Sequence, residues 1–477
     1  ATLAASCEAP VNKAIPFLIK PEEVISGVAN YYASSFIDGS DYCSILVKTR
    51  EGRPIKIEGN ELSSITKGGT NARVQASVLS LYDTERLKDP LHKKNQTTWE
   101  HIDENVTPLL KSIDTQGKRI VILSSTIISP STKNVYEEFM KAYPNTRVVY
   151  YDAISSSAML SANKISFGQQ VIPSYKFDRA EIIVSFGADF LGTWLSPIEF
   201  TKQYVQNRKL DNKKTMSRHI QFEPGMSLTG SNADERFSIK PSEEGIILVN
   251  LYNELLVLSG TMADNISKSA VDIKIIASEL WANKGKSIVV SGTNDKNIQV
   301  VTNAINILLD NYGKTIDLST PLYLKQGIDE DMTSLVNDML EGKIDALIIN
   351  NVNPAYDYPD SDKFIEGLNN VKLSISMSST LDETSSLVNY ICPDNHYLES
   401  WNDAEPKKGY YSLCQPTINR LFNTRASQES LLKWIGREID FLDYIQEYWE
   451  NNIYTQRDEF NDNGFGFKQF WINSLQN

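Results

Sequence analysis

What most constrains this chain is a series of six short apolar runs, most of them ending in small or turn-forming residues. They are Arg119-IVILSST, Glu181-IIVSFGAD, His219-IQFEPGMS, Lys286-SIVVSGTND, Asp345-ALIINNVNP and Val371-KLSISMS. Between several of them, apolar residues recur at helical spacing over 135–142, 245–258, 298–309 and 332–340. Near-continuous apolar strands alternating with helices predict parallel sheets covered on both faces, an α/β architecture. No solenoid-type repeat accompanies them. At 477 residues the chain is too long for one core, so two or three domains are expected.

In such sheets, ligands bind outside the carboxyl ends of the strands. Four groups fall there: Gly187-Ala188-Asp189, Glu223-Pro224, Ser291-Gly292-Thr293, and Asn350 to Pro354. Small residues let backbone N–H groups approach a phosphate, and a carboxylate after a strand can accept from ribose or a base. Any doubly wound sheet also needs glycine at its strand–helix turns. Neither G-x-G-x-x-G nor a P-loop is present, which argues against NAD and ATP.

Upstream lies KTREGRPIKIEGNELSSITKGGTNARVQASVLSLYDTERLKDP, residues 48–90. Ile45, Val47, Ile55 and Ile57 alternate about Glu51-Gly52, which predicts a hairpin with one buried face. Gly68-Gly69 supplies a backbone free to take positive φ or to approach a neighbour closely. Val74, Val78, Leu79 and Leu81 then fall at helical spacing, as do Ile102, Val106, Leu109 and Leu110 in a helix expected over 99–112.

The net charge of −13 argues against nucleic-acid binding and suits docking of a basic partner such as a c-type cytochrome. No stretch of ~18 apolar residues occurs to span a membrane. His92, His101, His219 and His396 lack His-x-x-x-His spacing and read as structural or solvated. Cys7, Cys43, Cys392 and Cys414 are scattered, matching neither a metal site nor a disulfide framework. Tyr444, Tyr448 and Trp449, among acidic neighbours, read as core or subunit-contact packing. The start, ATLAASCEAPVNKAIPF, looks like the end of an export signal, with Cys7 a candidate for lipidation and residues 8–30 an extended, proline-containing arm. Near the end, Phe465, Phe467, Phe470 and Trp471 need a surface to bury against, so the chain is expected to be a segment of a longer polypeptide.

The hairpin, the Gly-Gly loop and the helix ARVQASVLSLYD together resemble the N-terminal domain of the molybdopterin oxidoreductases. In active members this stretch holds a Cys-ligated iron–sulfur cluster, with a basic residue between cluster and pterin. Here YYASSFIDGSDYC keeps only Cys43, Asn71 stands at the loop-cysteine position, and Arg73 keeps the basic one. One thiol cannot hold a cluster, which needs several. FEPGMSLTGSNADERFSIKPSEEG resembles the family segment that meets a guanine dinucleotide, which places Glu223, Ser227, Thr229 and Asp234 at cofactor-facing positions. Ser242 and Glu244 replace a Gly and an Asp there, adding bulk and charge where a phosphate would approach. The glycine turn at Gly292 and the Asn353-Pro354 turn also match. A metal-bound Ser, Cys or Asp would sit near 152–161, where DAISSSAML reads as turn-forming serines.

The resemblance implies a molybdopterin oxidoreductase-like fold of the DMSO reductase superfamily, with two Rossmann-like parallel-sheet domains and a small β-rich domain. Its expected parts are the arm 1–29, a vestigial iron–sulfur domain 30–95, and one α/β domain from 96–150 and 320–436. A second α/β domain over 151–319 and a helical segment 437–477 complete it. Within that group the chain resembles the B subunits of alternative complex III, a quinol-oxidising respiratory complex. That implies a non-catalytic bracing domain, with no catalytic residue, metal or cofactor of its own and vestigial pocket positions at Asn71, Arg73, Gly187, Asp189, Glu223, Ser227, Thr229, Asp234, Gly292 and Asn353. Iron–sulfur clusters and haem c are expected elsewhere in the complex. Partners would be a multihaem cytochrome c and a quinol-binding integral membrane subunit, on the periplasmic side after twin-arginine export. Two alternatives stand beside it: an active molybdenum-bis(guanine dinucleotide) oxidoreductase, and a nucleotide-binding module that reuses the crevice.

Overall fold

A computed structural model of the chain describes residues 25, 27–38, 41–210, 216–263, 271–456 and 466–476. Cys7, Phe465 and most of the arm at 8–30 lie outside these residues.

The first strands, β1 (Asn30–Asp38), β2 (Asp41–Arg50) and β3 (Arg53–Gly59), form an antiparallel sheet in that order. Glu51 and Gly52, at φ 52° and 75°, make the β2–β3 turn, and positive φ at both central residues gives the backbone twist that suits a two-residue hairpin. Ile45, Val47 and Ile57 are buried, but Ile55 is 49% exposed. The ladder slips between Lys48 and Thr49, so Pro54 turns inward while Ile55 and Lys56 both face out. Pure alternation cannot reveal such a bulge. The helix Ala72–Ser80 packs Val74 and Val78 against this sheet, with Leu81 just beyond its end, and leaves Leu79 exposed.

After the short strands β4 (Leu91–His92) and β5 (Asn95–Gln96) comes the helix Trp99–Thr115, capped by Thr98. It buries Ile102, Val106, Leu110 and Ile113 and leaves Leu109 exposed. Strands β6 (Arg119–Ser124) and β7 (Thr146–Tyr150) flank the helix Pro130–Ala142. The chain then lays down β8 (Ile172–Tyr175), β9 (Ile182–Phe186), β10 (Arg218–Glu223), β11 (Glu235–Ser238), β12 (Ser287–Ser291) and β13 (Ile316–Leu322). It returns with β14 (Ile344–Asn350), β15 (Leu373–Ser376) and β16 (Tyr390–Ile391), and closes on β17 (Asn402–Lys407) and β18 (Tyr410–Cys414).

All six apolar runs are strands, and they divide between two sheets. The larger is ordered β5-β4-β16-β15-β14-β6-β7, parallel from β16 to β7 with an antiparallel β4–β5 edge. Ile120, Ile122 and Ile348 pack on one face beneath helices that include Pro130–Ala142 and Phe441–Asn452. Val121, Leu123 and Leu347 pack on the other beneath Asp329–Leu340 and Ser361–Asn369. The second sheet, β11-β10-β9-β12, is wholly parallel. It sits between the helices Glu244–Leu258, Lys274–Ala282 and Lys296–Leu308 on one side and a Phe177–Phe190–Phe200 cluster on the other.

A fourth sheet, β18-β17-β13-β8, is antiparallel and was not foreseen. Its strands are short and carry no continuous apolar run, as in NDAEPK; β17 and β18 form a hairpin, while β13 pairs with β8 and β17 across long sequence separations. Tyr444 and Trp449 are core residues. Phe467, Phe470 and Trp471 find their surface within the chain, against Trp449, Tyr454 and Trp401. The burial argument for a missing surface therefore falls away for these three.

Candidate functional site

The carboxyl ends of the two parallel sheets differ, and three of the four strand-end groups belong to the smaller one. There Glu223, at the end of β10, is only 3% exposed. Its carboxylate accepts from Arg236 Nε at 2.6 Å, Ser227 Oγ at 2.6 Å and Ser227 N at 3.1 Å. Although burial pushes the carboxyl up, the Arg236 and Ser227 bonds hold it below the ordinary value. Gly230 packs so closely that an added Cβ would lie 1.9 Å from Glu223 Oε1. Asp189 accepts from Thr229 Oγ1 at 2.8 Å and Thr229 N at 3.0 Å. Gly292 must be glycine, because a Cβ there would meet the Gly187 carbonyl oxygen at 2.5 Å.

Glu244 completes this arrangement. It opens the helix Glu244–Leu258, and its Oε1 accepts from Ser291 Oγ at the end of β12 at 2.7 Å. Its other carboxylate oxygen would lie 3.9 Å from a Cβ on Gly187, and burial raises its pKa. Ser242 is exposed in the preceding turn and takes no part. Among the expected positions, then, Gly187, Asp189, Glu223, Ser227, Thr229 and Gly292 are together, but their polar groups engage one another.

Asp234 is a correction. It accepts from the His219 backbone N–H at 2.8 Å and pairs with Arg208 at 2.7 Å, which with its backbone bonds holds its carboxyl below the usual value. His219 is near the start of β10, so Asp234 lies about 13 Å along the strand from Glu223, at the wrong end of the sheet for the ligand crevice. A motif match gives sequence proximity but does not say which strand end a residue serves. Arg236 was missed; the available signal was a carboxylate ending an apolar strand, which needs a nearby cation.

Of the other three positions, Asn353 follows a strand of the seven-stranded sheet, and Asn71 and Arg73 belong to the N-terminal module. The carboxyl end of the seven-stranded sheet opens into a cavity of about 820 Å³, with Ser125 just after β6 and Asn350 and Ser376 ending β14 and β15. The helix Ala72–Ser80 covers it with Arg73, Ser77 and Ser80. Arg73 pairs with Asp41 at 2.9 Å. Asn353 accepts from Thr384 Oγ1 at 2.7 Å and donates to Glu383 at 2.7 Å. Four further carboxylates, Asp38, Asp357, Asp382 and Asp394, stand along the wall. Burial raises Asp394 to about 6, although it accepts from Ser427 and Asn395 N–H groups. Burial lowers His396, also on the wall, to about 4.

The cofactors of the resembling family can be tested against these residues. Cys43 is buried, its Sγ is 3.2 Å from the Gly69 carbonyl it donates to, and burial pushes its pKa up to about 12. Asn71 caps the helix Ala72–Ser80, accepting from Val74 N at 2.9 Å. A cluster needs several thiolates, so this site does not fit one. Asp152, where a metal-bound residue would be sought, accepts from Thr126 Oγ1, Gln326 N and Gly327 N at 2.8, 3.2 and 2.9 Å. It is a structural carboxylate. A pyrophosphate does not fit the smaller sheet, where Glu223 and Glu244 already take the donors. In the cavity it would face four carboxylates and one guanidinium shared with Asp41. Among the described residues, no helix is long and apolar enough to cross a membrane.

No protein-family model matches the chain. It is 21% identical over 461 residues to the menaquinone reductase, molybdopterin-binding-like subunit, of Nitratidesulfovibrio vulgaris, covering 82% of this chain and 63% of that protein. It is 22% identical over 250 residues to the arsenate respiratory reductase molybdopterin-containing subunit of a Shewanella species, covering 49% and 28% of the two chains. The chain thus spans less than two thirds of the length of these relatives. Acetylene hydratase from Pelobacter acetylenicus superposes with a TM-score of 0.67 at 13% identity, covering 85% of this chain and 69% of that one.

Proposed function

We propose that this chain, a homologue of the molybdopterin oxidoreductases built on their fold, is a non-catalytic bracing subunit of a membrane-associated quinol-oxidising respiratory complex. The finer reading is a B subunit of alternative complex III. The observation that carries it is the self-engagement of the cofactor-facing residues: Glu223 with Arg236 and Ser227, Asp189 with Thr229, and Glu244 with Ser291. Cys43, the one cysteine kept in the stretch that resembles the cluster-binding segment, is buried and adds to it. A fold kept while its ligand positions bond internally serves its neighbours through shape and surface. The menaquinone reductase relative, whose subunit is described as molybdopterin-binding-like, supports membrane respiratory partners. On this reading iron–sulfur clusters and haem c lie elsewhere in the complex, beside a multihaem cytochrome c and a quinol-binding membrane subunit. The chain sits on the periplasmic side after twin-arginine export.

Arg73→Ala in the intact complex tests it. Quinol oxidation is expected to stay within about twofold of the unmodified complex, because this guanidinium serves no reaction. A loss of tenfold or more, with the assembly intact, would instead place Arg73 beside a working redox centre. The open 820 Å³ cavity favours a second reading, a retained small-molecule site, whose carboxylate-lined wall suits a neutral or cationic ligand better than a nucleotide's phosphates. A stoichiometric small molecule in a denaturing extract would decide for it.

A further inference from the structure

Two histidines outside the cavity lining, separate in sequence, meet in the fold. His92 is on β4, in the antiparallel edge of the seven-stranded sheet, and His101 is in the first turn of the helix Trp99–Thr115. His101 Nε2 and His92 Nδ1 are 3.4 Å apart, with ring centroids 5.5 Å apart and planes inclined at 37°. Packing fixes the first ring: His92 stacks on Tyr390 with centroids 4.4 Å apart and planes within 9°. The second is carried on a capped helix, Thr98 accepting from its backbone N–H at 3.2 Å. The Asn105 amide nitrogen, 3.4 Å from its Nδ1, must move aside when Nε2 ligates and Nδ1 carries the proton.

We propose that His92 and His101 form a two-imidazole chelate for a borderline-soft divalent ion of the zinc or copper class. Two nitrogens each about 2.1 Å from a shared ion and separated by the observed 3.4 Å subtend about 108°, close to the tetrahedral angle. Imidazole pairs select zinc, copper or nickel over calcium and magnesium, which prefer oxygen. Among the described residues no group of three or more His, Cys, Asp or Glu is placed to hold a metal ion. Water therefore fills the remaining positions, and the site is an open, exchangeable one. An ion there would fasten the β4–β5 hairpin to the helix Trp99–Thr115 and hold the exposed edge of the sheet.

The other histidines do not compete. His219 is buried with its ring nitrogens 3.2 Å from Tyr204 Oη and 3.2 Å from Gln221 Oε1. His396 has its own at 2.9 Å from Ser80 Oγ and 3.3 Å from Leu398 N.

The test is calorimetric titration of the metal-free full chain with zinc chloride at pH 7.5, in a Cys7→Ser background that removes that thiol. One zinc per chain is expected, with His92→Gln and His101→Gln each weakening it at least tenfold at unchanged circular dichroism. In the chain with both histidines, selective ¹⁵N labelling should show two imidazoles shifting together as zinc is added. No saturable binding, binding unaffected by either substitution, or loss in one variant alone would leave a plain hydrogen bond between two imidazoles and overturn the proposal.

Discussion

At the carboxyl end of the four-stranded sheet, a buried glutamate is held by an arginine and a serine, and a second glutamate lies against the last serine of the neighbouring strand. At the same end of the seven-stranded sheet, hydroxyls, amides and carboxylates line about 820 Å³ of space. Both sheets are parallel where their strand ends form these sites, so topology offers a crevice at each. The difference lies in where the side chains bond: at the first end they bond one another across the strand ends and close them, whereas at the second they bond along the wall and leave the space open. A parallel α/β fold thus keeps its shape whether or not its crevice stays open.

The largest expected contrast between the ends comes from their arginines. Arg236→Ala leaves the Glu223 carboxylate buried without its cation and should cost about 3–5 kcal/mol, read from urea denaturation. Arg73→Ala removes a guanidinium whose side chain is 57% exposed, so the change should stay below about 1 kcal/mol. Equal losses would erase the distinction between the two ends.

Next in size is the tight backbone crossing at the closed end. Gly292→Ala drives a Cβ against the Gly187 carbonyl and should cost about 2–3 kcal/mol. Gly225→Ala, on the neighbouring loop with nothing within 4 Å, should change stability by less than about 0.5 kcal/mol.

Smallest is a pH effect at the open end. Burial raises Asp394 to about 6 in the folded chain, against about 3.9 when unfolded. Between those values the native state holds a proton that the unfolded chain has released, so this group's contribution falls as pH rises and stays unfavourable above pH 6. Asp394→Asn keeps an acceptor for the Ser427 and Asn395 N–H groups without the charge. It should stabilise the protein at pH 7 by on the order of 2 kcal/mol, an advantage that fades below about pH 4. Midpoints measured at pH 4, 5.5 and 7 would sharpen or remove this term.

Much of this fold was legible in the chain because its parallel strands are apolar throughout. Runs such as IVILS and ALIIN bury both faces, and that signal needs no partner to be known. Local signals failed where a residue's environment depends on a distant segment. Ile55 faces solvent because of a bulge set by pairing with β2, and Asp234 serves the opposite end of β10. The β8–β13–β17–β18 sheet joins strands more than two hundred residues apart in sequence and too polar to stand out. Of the site, the residue types could be read from the sequence: Glu223, Ser227, Thr229 and Glu244 lie together at one carboxyl end. Their mutual bonding was not, since Arg236 and Ser291 enter from separate strands. His92 and His101 escaped notice for the same reason, one lying on a strand and the other on a helix.

The central claim is that this chain keeps the fold of a molybdopterin enzyme without its chemistry. The most direct measurement is molybdenum, tungsten and acid-released pterin on the protein purified from its native membrane, normalised to polypeptide. Less than about 0.1 equivalent of each is expected, since the donors that would hold a dinucleotide are bonded to Glu223 and Glu244. Close to one metal and two pterins per chain would contradict it.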